Sequence, residues 1–319
     1  MSRYTRNTVI QAQITATPVI PTFVATDAIL MTEMPDHEIT REYVDRALLR
    51  GYMGGSDQLV KARNADFRYK CEFWGSGDAD TPPAWGRLLR MCGMAETIVG
   101  TSHVAYAPVS TGQEMGAIRF VQDGIAYASK GGRGSVKFNL VSGDRPTMEF
   151  NMMGFDTGAA TGSVGAYAYA DWIRPDLIID STAGDIRLGS TYNAGTGAIS
   201  GGTPLVSRGL EIDLGNKLSY IQLLGGDAID IVDREVTGKM TVALSAAEEV
   251  TWRSDMNANA TTSLSFTYGT VAGQRITVFA PKVQRIAPKR VDYEGRVLFE
   301  TELRFLPSVG NDELLIVSR

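Results

Sequence analysis

Phe67-Arg68-Tyr69-Lys70-Cys71-Glu72-Phe73 alternates apolar and polar side chains without a break, and the residues after it change rhythm. A period of two predicts a half-buried strand. Gly75-Ser76-Gly77-Asp78 then breaks the chain, and Thr81 through Cys92 reads as a helix with Thr81 as its cap and Pro82 in its first turn. Trp85, Leu88, Leu89 and Cys92 fall at i, i+3, i+4 and i+7, which predicts one apolar helix face turned to the core. Gly93 stands where a left-handed residue ends a helix. A hairpin follows between Ser135 and Phe155, turning through Ser142-Gly143-Asp144-Arg145-Pro146.

The same order recurs further on. Val236 to Leu244 alternates, Ser245-Ala246-Ala247-Glu248 is a capping box that starts a helix at Ala246, and strands follow at Gln274–Phe279 and Arg296–Phe305. In the last of these Val297, Phe299, Thr301, Leu303 and Phe305 share a face, with Glu300, Glu302 and Arg304 on the other. Two units are therefore expected: residues 1–157, with an extended N-terminal arm over 1–25 and a charged excursion over about 35–60, and residues 158–319. The excursion carries Glu38, Arg41, Glu42, Asp45, Arg46 and Arg50 and reads either as a short helix around Glu42–Leu49 or as a long interaction loop. Glycines crowd from Gly154 to about Pro204, so the second unit is expected to open with loops, its strands resuming at Gly209–Leu214 and Leu218–Leu224.

Bulk properties narrow the function. At 319 residues, two domains are the natural expectation, each able to bury a core without staples. A formal charge of −5 lacks the basic face that a nucleic-acid binder needs to displace counterions, and the second half is the more acidic. Two cysteines do not make a disulfide scaffold, and a reducing cytoplasm suits them. Met1–Arg6 is not followed by the apolar core of a signal peptide, and no run approaches the length of a membrane helix. An outer-membrane barrel is not expected without such a signal.

Chemistry is sparse. His37 and His103 have no partner at metal-ligand spacing, and Cys71 and Cys92 fall on apolar faces, where they read as small buried hydrophobes. There is no nucleophile elbow and no phosphate-loop lysine. Asp227, Asp230 and Asp233 do not match a calcium loop, because a spacing of three alternates faces on a strand. No catalytic, cofactor or metal residue is expected.

Cys71 to Glu96, CEFWGSGDADTPPAWGRLLRMCGMAE, resembles the tail tube proteins of long-tailed bacteriophages. RGLEIDLGNKLSY (from Arg208), DREVTGKMTVAL (from Asp233) and APKVQRIAPKRVDYEGRVLFETELRF (from Ala280) resemble the second tube domain of that family. The resemblance spans about Phe23 to Pro307. It implies a mostly β chain of two tandem β-sandwich or barrel-forming tube domains, each with one flanking helix. It further implies rings of three chains with pseudo-six-fold symmetry, stacked into a tube that conducts the genome to the host.

Its implied partners are further copies of the chain, tape-measure, terminator and distal tail proteins, and double-stranded DNA passing without specificity. Assembly would occur in the host cytoplasm, with no membrane insertion and no cofactor. Asp213, Asp227, Asp230 and Glu235 are candidate lumen charges, because an acidic lumen repels phosphates. The charged excursion is the candidate ring-stacking loop. The alternatives are a contractile-tail tube subunit or another virion β protein, and, from a different class, a β-sandwich carbohydrate- or ligand-binding module. Trp74, Trp172 and Trp252 are too scattered to favour the last.

Overall fold

The computed structural model describes Tyr4, residues 6–163 and residues 165–319. Met1, Ser2, Arg3 and Thr5 of the expected arm, and Val164, lie outside the described residues. The chain is mostly β. Its first half holds β1 (Thr8–Thr15), β2 (Ala28–Ile29), β3 (Asp36–Asp45), β4 (Gln58–Glu72) and α1 (Gly86–Met91). β5 (Met94–Val99), β6 (His103–Pro108), β7 (Met115–Gln122), β8 (Ile125–Val141) and β9 (Thr147–Thr161) complete it. The second half holds β10 (Ile186–Asn193), β11 (Ala198–Leu205), β12 (Ser207–Asp213), β13 (Asn216–Ile221), β14 (Ala228–Arg234) and β15 (Thr237–Val242). It ends with α2 (Ala246–Asn257), β16 (Thr261–Tyr268), β17 (Ile276–Tyr293), β18 (Arg296–Leu306) and β19 (Leu315–Ser318).

Antiparallel pairing links the first-half strands in the order β2-β1-β7-β8-β9-β4-β3. The second-half strands follow β11-β10-β16-β17-β18-β15-β12, which is the same order position for position. β12 then pairs with the C-terminal part of β8, running Asp213↔Lys137 to Gly209↔Val141. The two halves thus share one sheet, and the core is shared as well. Phe67, Tyr69, Cys71 and Phe73 pack with Trp85, Leu88, Leu89 and Cys92 of the α1 segment, and the same cluster runs through Phe138, Ile212, Met240 and Leu303. Tyr268 reaches from the second half to donate its hydroxyl to the Phe73 carbonyl. Its ring lies 5.3 Å from that of Trp74. The indole Nε1 of Trp85 donates to the Trp74 carbonyl at 2.7 Å, so the aromatic core leaves that donor satisfied.

Several local expectations change. Thr8–Thr15 is no arm but a strand with Val9, Ile10 and Ala12 buried against β7, a pairing more than a hundred residues away that local pattern does not reveal. α1 begins at Gly86 rather than Thr81, because Pro83 pushes the residue before it out of helical backbone. Trp85, Leu88, Leu89 and Cys92 are nevertheless all buried, and Gly93 has φ +73°. α2 starts at Ala246 under the expected capping box, with Ser245 Oγ accepting from the Glu248 amide at 3.3 Å. The glycine-crowded segment is not all loop: Ile186–Asn193 and Ala198–Leu205 form a hairpin, its glycines sitting at its turn and exposed positions. The strand expected at Leu218–Leu224 spans Asn216–Ile221.

Candidate assembly surfaces

Eight strands form one continuous antiparallel run, β3-β4-β9-β8-β12-β15-β18-β17. Strand alternation sends Phe67, Met152, Phe138, Ile212, Met240 and Leu303 to the core and their neighbours to the opposite face. Both helices contribute side chains to the core cluster, Leu88 and Leu89 from α1 and Trp252 from α2. The opposite face is largely polar along the run. One row reads Lys70, Glu149, Lys137, Asp213, Thr237, Arg304 and Gln284. The next reads Glu72, Thr147, Asn139, Glu211, Lys239, Glu302 and Ile286.

Acidic and basic side chains are mixed there and pair across strands. Lys137 Nζ lies 3.2 Å from Asp213 and Lys239 Nζ lies 2.9 Å from Glu300. The Glu300 hydrogen bond raises the Lys239 pKa, desolvation opposes it, and the nearby Glu211 and Glu302 charges add to the rise. On β4 Asp66 is pushed up by burial and by Glu38 beside it, and Arg68 pulls it back. These exposed pairs fix side-chain positions but add little stability.

The four sequence-derived acidic candidates separate. Asp213 lies on this polar face, and Glu235 pairs with Arg304 at its margin. Asp227 and Asp230 belong to a separate hairpin, β13–β14. There Asp227 accepts from Tyr220 Oη at 3.0 Å, and Asp230 lies 2.7 Å from the buried Arg133 guanidinium of β8. Arg234 and Glu313, both largely buried, close the other end of that hairpin at 2.6 Å. Asp230 is thus an anchor for a folded-back hairpin, a role that sequence spacing gives no sign of.

The charged excursion is a long β3–β4 hairpin rather than a helix or an open loop. Glu38, Arg41, Glu42 and Asp45 sit on β3, and Arg46 and Arg50 follow it toward the tip. Several of its charges pair across the hairpin: Arg46 with Asp57 at 2.9 Å, Glu42 with Lys61 at 3.0 Å, and Gln58 donates to Asp45 at 2.6 Å. Between them the tip exposes Tyr43, Val44, Leu49, Tyr52, Met53 and Leu59. That apolar set was legible only as interruptions in a charged stretch. An open groove of about 610 Å³ beside the hairpin is lined by Arg41, Lys61, Arg63, Lys130, Asp156 and Asp227.

Remaining titratable groups sit in the core. Cys71 and Cys92 are free, buried and held strongly toward the thiol by desolvation. His37 lies among Phe67, Phe120 and Tyr127, with ring centroids 4.6 to 5.6 Å away. His103 Nε2 lies 3.1 Å from the Tyr192 hydroxyl. Among the described residues no cluster of three His, Cys, Asp or Glu side chains could hold a metal ion, and no helix is long and apolar enough to cross a membrane.

No curated protein matches the sequence. A scan against protein-family models matches the phage tail tube protein family over residues 8–311, nearly the whole chain. With a sheet-built fold, a polar strand face and an apolar projecting hairpin, the chain belongs to the phage tail tube protein family, a structural family of the virion tail.

Proposed function

We propose that the chain carries the tube unit twice and polymerises as stacked three-chain, pseudo-hexameric rings to form the conduit for genome delivery. The observation that carries this reading is the eight-strand run, which has the same strand order in both halves and ends in β3 at one edge and β17 at the other. Open strand edges template pairing with another chain, and closure is the one arrangement that removes them. Eight strands from each of three chains make a barrel of about twenty-four, roughly 40 Å between backbones at the usual strand spacing. Its polar face would line the lumen, where acidic side chains such as Asp213, Glu211 and Glu302 keep phosphates from sticking. The β3–β4 hairpin, with its apolar tip, would dock on the next ring.

In this reading the division into 1–157 and 158–319 shifts slightly, since β9 continues to Thr161 and the second unit opens with β10. Other tail proteins would meet the ends of the tube, and assembly would take place in the host cytoplasm. Duplication within one chain favours a non-contractile tail over a contractile one. Negative-stain imaging of the purified chain tests the reading. Rings or striated tubes are expected, and a protein that stays monomeric at high concentration contradicts it.

A further inference from the structure

The seam between β8 and β12 is visible inside the chain, and the two repeats can be aligned residue by residue. Both long strands carry a bulge at a matching place: two residues of β8, Lys130 and Gly131, oppose Ala117, and two of β17, Pro281 and Lys282, oppose Ser263. That match sets Gly134 of β8 on Arg285 of β17. Gly134 leads across the sheet through Met152 and Phe67 to His37. Arg285 leads through Leu303 and Gly238 to Ile212. β3 therefore corresponds to β12, with Asp36 on Glu211, Glu38 on Asp213 and Ile39 on Leu214.

β12 is filled on its outer side by β8, but β3 has no second partner strand. The matching stretch of β17, Lys289–Tyr293, pairs only with β18 and leaves its other flank open. Carried across the repeat, the β8–β12 register gives a definite partner for each position. Lys137 opposes Asp213 within the chain, so Lys289 opposes Glu38 between chains, and Arg290 and Val291 oppose His37 and Asp36 in turn. The charges agree with it. Lys137 and Asp213 form a salt bridge at 3.2 Å. Lys289 and Glu38 have the same signs in the same places, and neither forms a salt bridge among the described residues.

We infer that β3 of one chain adds antiparallel to Lys289–Tyr293 of β17 in the next, in the register that places Glu38 against Lys289. This assignment rests on the ring reading above and names the edge-to-edge contact that closes it. The contact is heterologous, one edge meeting a different edge, so it propagates around a ring and does not stop at a dimer.

Directly opposed antiparallel residues have Cα atoms about 4.5–5.5 Å apart, within disulfide reach. The double variant Glu38→Cys with Lys289→Cys should therefore form an intermolecular disulfide in assembled rings under mild oxidation. On a non-reducing gel most of the chain should run as dimers and trimers, and each single variant as monomer. The buried Cys71 and Cys92 contribute no background. A charge exchange provides the second readout: Glu38→Lys should lower assembly at least tenfold, and adding Lys289→Glu should restore it. Imaging the same samples separates the outcomes. Rings without the crosslink and without charge rescue overturn this register while leaving the ring reading intact. Absence of rings in the parent chain overturns both.

Discussion

The two repeats differ most where each crosses between its first pair of long sheet strands. In the first, residues 46–57 join β3 to β4 and project into solvent, with Leu49 and Met53 fully exposed at the tip. In the second, residues 214–236 join β12 to β15 and fold back as β13–β14 onto β8 and β9. The difference is built from a few residues. Gly215 turns the chain at φ +65°, where an added Cβ would meet the Glu235 carbonyl oxygen at 2.1 Å, and buried Arg133 and Arg234 hold the returning strands. The projecting hairpin has instead only exposed ion pairs. One topological position thus forms a projecting arm in one half and a sealed rim in the other. In a three-chain ring, arms would alternate with rims around the six positions.

The largest expected effect is at the turn of the folded-back hairpin. Gly215→Val combines a left-handed backbone with a backbone clash and should cost about 3 kcal/mol or more. Gly51→Ala, in the projecting connection where an added Cβ meets nothing within 4 Å, should leave the urea midpoint unchanged. Equal effects at the two positions would break the comparison.

Next is the anchor. Arg133→Ala leaves Asp230 and the Ile229 and Gln113 carbonyls without their donor and should destabilise by about 2 kcal/mol. Arg46→Ala should cost about 0.5 kcal/mol or less, since both it and Asp57 are largely exposed. Denaturant titration of the two variants side by side measures the contrast.

Smaller in stability but larger in assembly is the pair Leu49→Glu with Met53→Glu. Folding should change by less than about 0.5 kcal/mol, because both side chains already lie in water. Tube length by electron microscopy should fall to single rings or short stacks. Long tubes from this variant would remove the tip from ring-to-ring contact.

The smallest effect is in pH dependence, and it belongs to one repeat. His37 occupies the place of Ile212, and burial lowers its pKa despite the opposing pull of Asp156 and Asp36. The folded state therefore binds fewer protons than the unfolded one as pH falls below about 6.5, and stability declines toward acid. His37→Phe keeps the ring contacts and should flatten that part of the curve, by about 1 kcal/mol at most. Thermal melts from pH 7.5 to 5 follow it. His103, also shifted down by burial and by Arg319, should leave a residual slope.

What the sequence revealed follows the range of the interactions involved. β4, the β8–β9 hairpin and the α2 cap are local, and alternation or a Ser-x-x-Glu box exposes them directly. The core face of α1 was readable although its start was not, because apolar spacing survives where the Pro82–Pro83 backbone forbids a helix. β1 escaped because β7, its main partner, is distant, and β3 because it mixes charge with apolar residues on both faces. Asp230 looked like a free charge because its partner, Arg133, lies nearly a hundred residues away. The seam between β8 and β12 carried no local signal, yet it joins the two halves into one sheet.

Native mass spectrometry of the smallest closed assembly tests the central claim most directly. A ring in which each chain supplies two equivalent units should weigh three chain masses, with a three-fold axis in averaged images and six similar positions around it. A ring of six chains, or a chain that remains a monomer at every concentration tried, would contradict the account.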